Sequence, residues 1–198
     1  MTLALEDLPM TPEEFLAWER AQDQKHEYHH GEVFAMAGGR PRHAFLSAAV
    51  SGELRGALRG RGCQTLSSDM RVGAEGGQRL VYPDVVVVCG PYALLEGTTD
   101  VLMNPSMLVE VLSPSTARYD REGKWQLYQS IPSLTDYLLV AQSQVHVEHY
   151  QREADGWRYR VFREGAAVTL SNGARLSVDA IYDGAFDVPG DEPKRGPG

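Results

Sequence analysis

From residue 42 to residue 59, Leu46, Val50, Leu54 and Leu58 recur at every fourth position among arginines, glycines and serines, the spacing of a helix with one apolar stripe. An earlier helix is signalled over 11–22, TPEEFLAWERAQ, where a threonine stands at the cap, a proline at the first helical position and two glutamates in the first turn. Between the two, HHGEVFAMAGG reads as a short strand entered through Gly31 and left through a glycine pair. Residues 63–73 alternate, with Leu66, Met70 and Val72 set against Thr65, Ser67, Asp69 and Arg71, which predicts one half-buried strand. After a turn at EGGQ, RLVYPDVVVVCG carries four successive valines, the pattern of a strand covered on both faces. The stretch MLVEVLSPS at 107–115 has the same character, except that Glu110 sits in its middle. A helix over 120–131 and a strand at TDYLLVAQ follow, and then two hairpins, VHVEHYQRE with WRYRVF around Asp-Gly and VTL with ARLSV around Asn-Gly. The chain therefore reads as α/β (α+β), without internal repeats.

At 198 residues, 42% hydrophobic and 23% charged, the composition suits one domain with a substantial core, expected over 1–187. The Gly- and Pro-rich residues 188–198 read as a flexible C-terminal tail. No apolar run approaches the length that spans a bilayer, and the amino end, MTLALEDLPMTPEEF, has acids where a signal peptide has bases. A cytoplasmic protein without a membrane partner is expected. The formal charge of −8 excludes a broadly basic nucleic-acid surface and leaves room only for a local one. Cys63 and Cys89 have no CxxC spacing, so they are expected to be reduced packing residues and not a disulfide or a zinc site.

The charged residues inside apolar elements change the picture most. Glu110 shares its strand face with Leu108 and Leu112, and an ionised carboxylate removed from water must be compensated. An arginine partner would be the plain solution. By the two-residue period, Asp84 points the same way as Val86 and Val88 at the head of the valine strand, although a strand-entry acid is a common bland role. Lys124 falls with Leu127, Tyr128 and Ile131 on the inward stripe of its helix, where a lysine either snorkels or meets acids. Two carboxylates and an ammonium at one sheet edge form a known device. The acids hold a hard divalent cation such as Mg²⁺ or Mn²⁺, and the ammonium stabilises charge developing on a phosphate or positions the attacking water. That chemistry hydrolyses a phosphodiester.

YPDVVVVC, EVLSPST, the spacing Asp120, Lys124, Tyr128, and IPSLTDYLLV resemble the putative restriction endonuclease family of bacteria, a branch of the PD-(D/E)XK nuclease superfamily. The similarity extends upstream through HEYHHGEVFAMAGG, His43 and GCQTLSSDMRV, and covers about 25–185. The resemblance implies an αβββαβ core, a mixed central sheet flanked by helices with the C-terminal hairpins added to it. Asp84 and Glu110 would be its two catalytic and metal-holding acids. Leu112 stands where the superfamily lysine is usual, so Lys124 on the following helix would supply the ammonium. Glu27, Glu32, His43, Asp69 and Tyr128 belong to the family pattern as lower-tier site candidates. His43 suits a hydrogen-bonded core histidine better than a catalytic one, and Tyr128 suits a packed aromatic with a satisfied hydroxyl.

The function expected from these residues together is metal-dependent endonucleolytic cleavage of DNA by a homodimer. Arg40, Arg42, Arg55, Arg59 and Arg71 could be pooled around its cleft, which would give a steep salt dependence. The alternative is a catalytically silent nuclease-fold module for binding or assembly, which the acidic balance favours. A remote third reading is a zinc peptidase through HEYHH at 26–30, with His26 and His30 as ligands and Glu27 as base. It lacks the helical context that motif requires, and a solvated segment leading into the strand is the simpler expectation.

Overall fold

The chain is described here by a computed structural model that covers residues 9–36 and 38–190. Thr11 caps the first helix, α1 Pro12–Glu19, and the cap is reciprocal: the Glu14 amide donates to the Thr11 hydroxyl while the Thr11 amide donates to the Glu14 carboxylate. Replacing Thr11 with alanine is expected to lower stability by about 1 kcal/mol in urea denaturation, with an unchanged denaturant slope. A hairpin follows, β1 His26–His29 and β2 Glu32–Ala35, turning at His30 and Gly31, both with positive φ. The amphipathic stripe predicted for 42–59 forms α2 Pro41–Ala57, and Leu46, Val50, Leu54 and Leu58 are all buried.

The main sheet has six strands in the order β11-β10-β9-β8-β6-β3. They are β3 Cys63–Ser67, β6 Val85–Cys89, β8 Met107–Leu112, β9 Asp136–Ala141, β10 Val147–Glu153 and β11 Gly156–Phe162. All neighbours are antiparallel except β8 and β9, which are parallel, so the sheet is mixed. A parallel pair needs a crossover. It is made by a helical segment running from α3 Ala117–Tyr119 through a π turn, Asp120–Lys124, into α4 Trp125–Gln129. Residue period two divides the sheet between two covering layers. Val85, Val87, Val109 and Val111 pack against α2, whereas Val86, Val88, Leu108 and Leu112 pack against Leu127, Tyr128 and Ile131 of the crossover. Helix α2, strands β3, β6 and β8, the crossover and β9 reproduce the αβββαβ order.

Three local expectations are corrected. Residues 63–73 are two strands, because the chain turns at 68–70, where the Met70 amide donates to the Ser67 carbonyl, and β4 Arg71–Ala74 leaves for another sheet. The stretch from Arg79 is likewise cut, into β5 Arg79–Val81 and β6, at Pro83, which has no N–H to give to a ladder. These pieces build a second, five-stranded sheet, β2-β1-β5-β4-β7, with β7 Val101–Leu102. Finally, Cys63 and Cys89 form a disulfide. They stand directly opposite each other in the β3–β6 register, a coincidence of pairing that spacing in sequence does not reveal.

The smaller hairpin, β12 Ala167–Thr169 with β13 Arg175–Ser177, and a short α5 Val178–Tyr182 complete the chain. Val188 and Pro189, at the start of the expected tail, accept hydrogen bonds from the Arg42 side chain and amide; 191–198 lie outside the described residues. Among the described residues no helix is long and apolar enough to cross a membrane.

Candidate functional site

Glu110 lies in the middle of β8, 4% exposed, and is compensated by the crossover helix and not by an arginine. Lys124 Nζ reaches its Oε1 at 3.0 Å, and the Tyr128 hydroxyl donates to the same oxygen at 2.7 Å. Lys124 and Tyr128 are one turn apart on the helix, which is why both arrive at one oxygen. The ammonium is also 3.3 Å from Glu27 Oε1 on β1 and 3.7 Å from Asp120 Oδ1 on the π turn. The result is three buried carboxylates around one buried ammonium.

Asp84 enters from the neighbouring strand. Val85 pairs with Val109, so one further step along the antiparallel ladder sets Asp84 across from Glu110. Its Oδ2 accepts from the Val111 amide at 2.7 Å and lies 3.3 Å from Nε2 of His43, near the start of α2. Asp84 and His43 are partly exposed and form the rim, while Glu110 and Lys124 form the floor.

The electrostatics follow from burial and from this crowding. Burial pushes the Glu110 carboxyl well above its ordinary 4.5; Lys124 pulls it down, but the negative fields of Asp120 and Asp84 add to burial. Asp120 is raised too, by burial first. Burial works against the Lys124 ammonium, yet Glu110, Glu27 and Asp120 outweigh it and hold its pKa well above 10.5. Glu27 goes the other way: burial opposes its charge, but Lys124 and His29 bring it down to about 2. A carboxylate beside an ammonium would ordinarily be depressed, and only Glu27 is. Glu110 has two acids bearing on it, so Glu27 is the counter-ion of Lys124 and Glu110 the acid that favours its proton.

Hydrogen bonds fix the surroundings. Tyr137 donates to the Asp120 carbonyl at 3.0 Å, and the Tyr119 hydroxyl lies 3.0 Å from Nε2 of His29, whose ring is 3.6 Å from Glu27. A π turn widens the helix by one residue per turn, and here it buries Asp120 and Lys124 together.

Of the residues expected at the site, Asp84, Glu110, Lys124, Tyr128, Glu27 and His43 are brought to this region. Glu32 is exposed on β2, and Asp69 is exposed and pairs with Lys25 at 2.5 Å. Asp120 was not singled out as a site residue; its signal is its place four residues before Lys124 on the inward stripe. Among the arginines expected to pool, Arg71 is buried against Tyr82 and Asp100, and Arg42 is buried and donates to the Val188 and Gln142 carbonyls. Arg40, Arg55 and Arg59 are exposed.

The HEYHH segment is not helical, in keeping with its sequence context, but most of it is buried where a solvated segment was expected. His26 is buried with Nδ1 2.9 Å from Glu19, Glu27 faces Lys124, and His30 turns away to Glu75. Among the described residues no three His, Cys, Asp or Glu side chains converge as ligands for a metal ion, which removes the zinc centre. Mg²⁺ asks for less, since it is commonly held by one or two carboxylates with water and phosphate oxygens completing six positions. The oxygen donors here fit such an ion, because three buried carboxylates, Glu27, Glu110 and Asp120, share one buried ammonium and Asp84 stands one ladder step from Glu110.

The fold is similar to that of a solved protein from Anabaena variabilis, described as a putative nuclease belonging to DUF820, with a TM-score of 0.71 at 16% identity over 89% of this chain and 99% of that one. Two Synechocystis sp. proteins, both named as uncharacterized, are similar in sequence. One, slr1290, is 38% identical over 88% of this chain and 92% of its own length, and the other, sll1609, is 34% identical over 74% and 82%. Residues 12–180 match the profile of the Uma2 family, described as "Putative restriction endonuclease". A match over that span, with relatives above 30% identity along most of the same fold, makes this chain a member of the Uma2 family.

Proposed function

We propose that the protein is a metal-dependent endonuclease that hydrolyses phosphodiester bonds in DNA. The observation that carries this reading is the surplus of buried acid around Lys124, with Asp84 a single ladder step from Glu110. The family description and the naming of the Anabaena protein as a nuclease support the same reaction class. Asp84 and Glu110 would hold Mg²⁺ or Mn²⁺. When bound, the ion polarises a phosphoryl oxygen and makes its water more acidic. Tyr128 keeps Glu110 oriented through its hydrogen bond, and Glu27 holds Lys124 so that its ammonium can meet the charge that develops on the phosphate. Exposed Arg40, Arg55 and Arg59, doubled in a homodimer, would supply the local positive surface that a net charge of −8 otherwise denies to DNA.

Supercoiled plasmid is expected to be nicked or linearised with Mg²⁺ or Mn²⁺ and left intact in EDTA. Glu110→Gln should lose that cleavage while its melting temperature holds or rises, because a neutral amide replaces an acid that burial disfavours. The near-complete burial of Glu110 and Lys124 favours one competing reading, a silent module in which the cluster is purely structural. Intact plasmid with either metal across a range of DNA substrates would establish that reading instead.

A further inference from the structure

Three elements that carry residues of the candidate site also wall a second concavity beside it. His43 on α2 is preceded by Arg42, Glu110 on β8 is followed two positions on by Leu112, and Asp120 on the π turn is followed by Arg121. Arg42, Leu112 and Arg121 all line a cavity of about 340 Å³ at the carboxyl ends of the parallel strands β8 and β9. Crevices in that position are the usual ligand sites of α/β sheets. Two residues of strand amount to roughly 6.6 Å, so the cavity begins about as far from Glu110 as one phosphate of a nucleic-acid strand lies from the next.

The wall differs in charge from the rest of the molecule. In a chain with 27 acids against 19 lysines and arginines, it holds two arginines, a histidine, two serines and two glutamines over an apolar floor, and among the described residues no aspartate or glutamate. Arg121 is the residue placed to meet a ligand. Its side chain is 40% exposed, Nε and Nη2 donate to Oε1 of the buried Glu148, and among the described residues Nη1 donates to nothing. Glu148 also accepts from the Tyr159 hydroxyl and is not part of the wall, so Arg121 is oriented by an acid outside the cavity. The loop between β9 and β10, which forms the facing wall, is tied down: Tyr182 donates to the carbonyls of both Ala141 and His146 at 2.8 Å, and the Ala141 amide closes the loop on the His146 carbonyl at 3.0 Å. That loop presents Ser143 and Gln144, both exposed, as neutral donors. A fixed guanidinium with a spare N–H, flanked by neutral donors and facing no acid, is a receptor for an anion of the phosphate type.

We propose that this cavity binds a phosphate of the DNA strand next to the scissile one, with Arg121 as its charged donor and Ser143 and Gln144 at its mouth. Holding the neighbouring phosphate fixes the register of the strand over Asp84 and Glu110, which is positioning and carries no sequence preference. The inference rests on the nuclease reading in taking a DNA strand as the source of the phosphate; free phosphate has the same chemistry.

Fluorescence anisotropy of a labelled short duplex, titrated with the full chain in EDTA at several salt concentrations, tests it. Each phosphate contact contributes about 0.9 to the slope of log affinity against log salt. Arg121→Gln should lower the magnitude of that slope by about this amount and weaken binding about ten-fold at low salt. Arg175→Gln, which removes an exposed charge on β13 outside the cavity wall, should do neither. Arg121 compensates a buried acid, so should its variant fail to fold by circular dichroism, an exposed position decides: Gln144→Glu is expected to weaken binding about ten-fold and Gln144→Lys to tighten it. Calorimetric titration with inorganic phosphate separates the sources. Phosphate binding that Arg121→Gln abolishes while the DNA slope stays unchanged assigns the cavity to free phosphate and overturns the proposal, whereas loss of both together supports it. A parent that binds no DNA, or equal effects of Arg121→Gln and Arg175→Gln, overturns it as well. The slope change in a protein that leaves plasmid intact with either metal would retain the cavity and remove the nuclease reading, and cleavage with an unaltered slope would do the reverse.

Discussion

Lys124→Met is expected to cost the metal-free protein about 3–5 kcal/mol in urea denaturation at pH 7 and to reduce plasmid cleavage to the level of the enzyme-free control. The size follows from what the ammonium is made to do. It is buried with Glu110 at 3.0 Å, Glu27 at 3.3 Å and Asp120 at 3.7 Å, so its loss leaves three buried acids without the ammonium they share. Methionine fills nearly the same volume, so lost packing contributes little and the change reports the charge. Part of the cost would be relieved by proton uptake, first at Glu110, which already favours its proton, and then at Glu27. The variant should therefore be less destabilised at pH 5 than at pH 7. A Lys124→Met protein that melts and cuts like the parent would show that the ammonium neither holds the cluster together nor assists the reaction.

Much of this was written in the sequence, and the parts that were not have physical reasons. The stripe Leu46, Val50, Leu54, Leu58 and the apolar runs of β6, β8 and β9 specify their elements because each is fully covered, and a covered element has a strong period or none at all. Lys124 was legible for the same reason: a charge on an apolar stripe has to be explained. The contact of Glu27 with Lys124 was not legible because HEYH is a strand of only four residues, too short to show which face each residue takes, and Lys124 lies on a helix almost a hundred residues away. The division of 63–73 and of the segment around Pro83 between two sheets depends on pairing partners, which local alternation cannot name. The same ignorance of register hid the Cys63–Cys89 bond.

The difference in stability between the parent and Glu27→Gln should shrink as the solution is acidified, by about 3 kcal/mol between pH 4.5 and pH 2. Glu27 ordinarily titrates at 4.5 and is brought down to about 2 in the fold, because Lys124 and His29 together overcome its burial. A depressed folded pKa means that the unfolded chain takes up the proton first. The contribution of Glu27 is therefore fully present above about pH 4.5 and is lost progressively as the pH falls through about 2. Glu110 acts in the opposite sense: its raised pKa gives stability that is full below 4.5 and is lost as the pH rises through the folded value, so the parent's own acid profile mixes the two. Subtracting the Glu27→Gln profile isolates one of them, since glutamine has the shape of the acid and no titration. Urea denaturation of both proteins in EDTA at pH 7, 4.5 and 2 makes the measurement. A gap that stays constant across these values would mean that Glu27 is uncharged or unpaired in the folded chain, and Lys124 would then have to be held in place by Glu110 and Asp120, the two acids whose burial favours their protons.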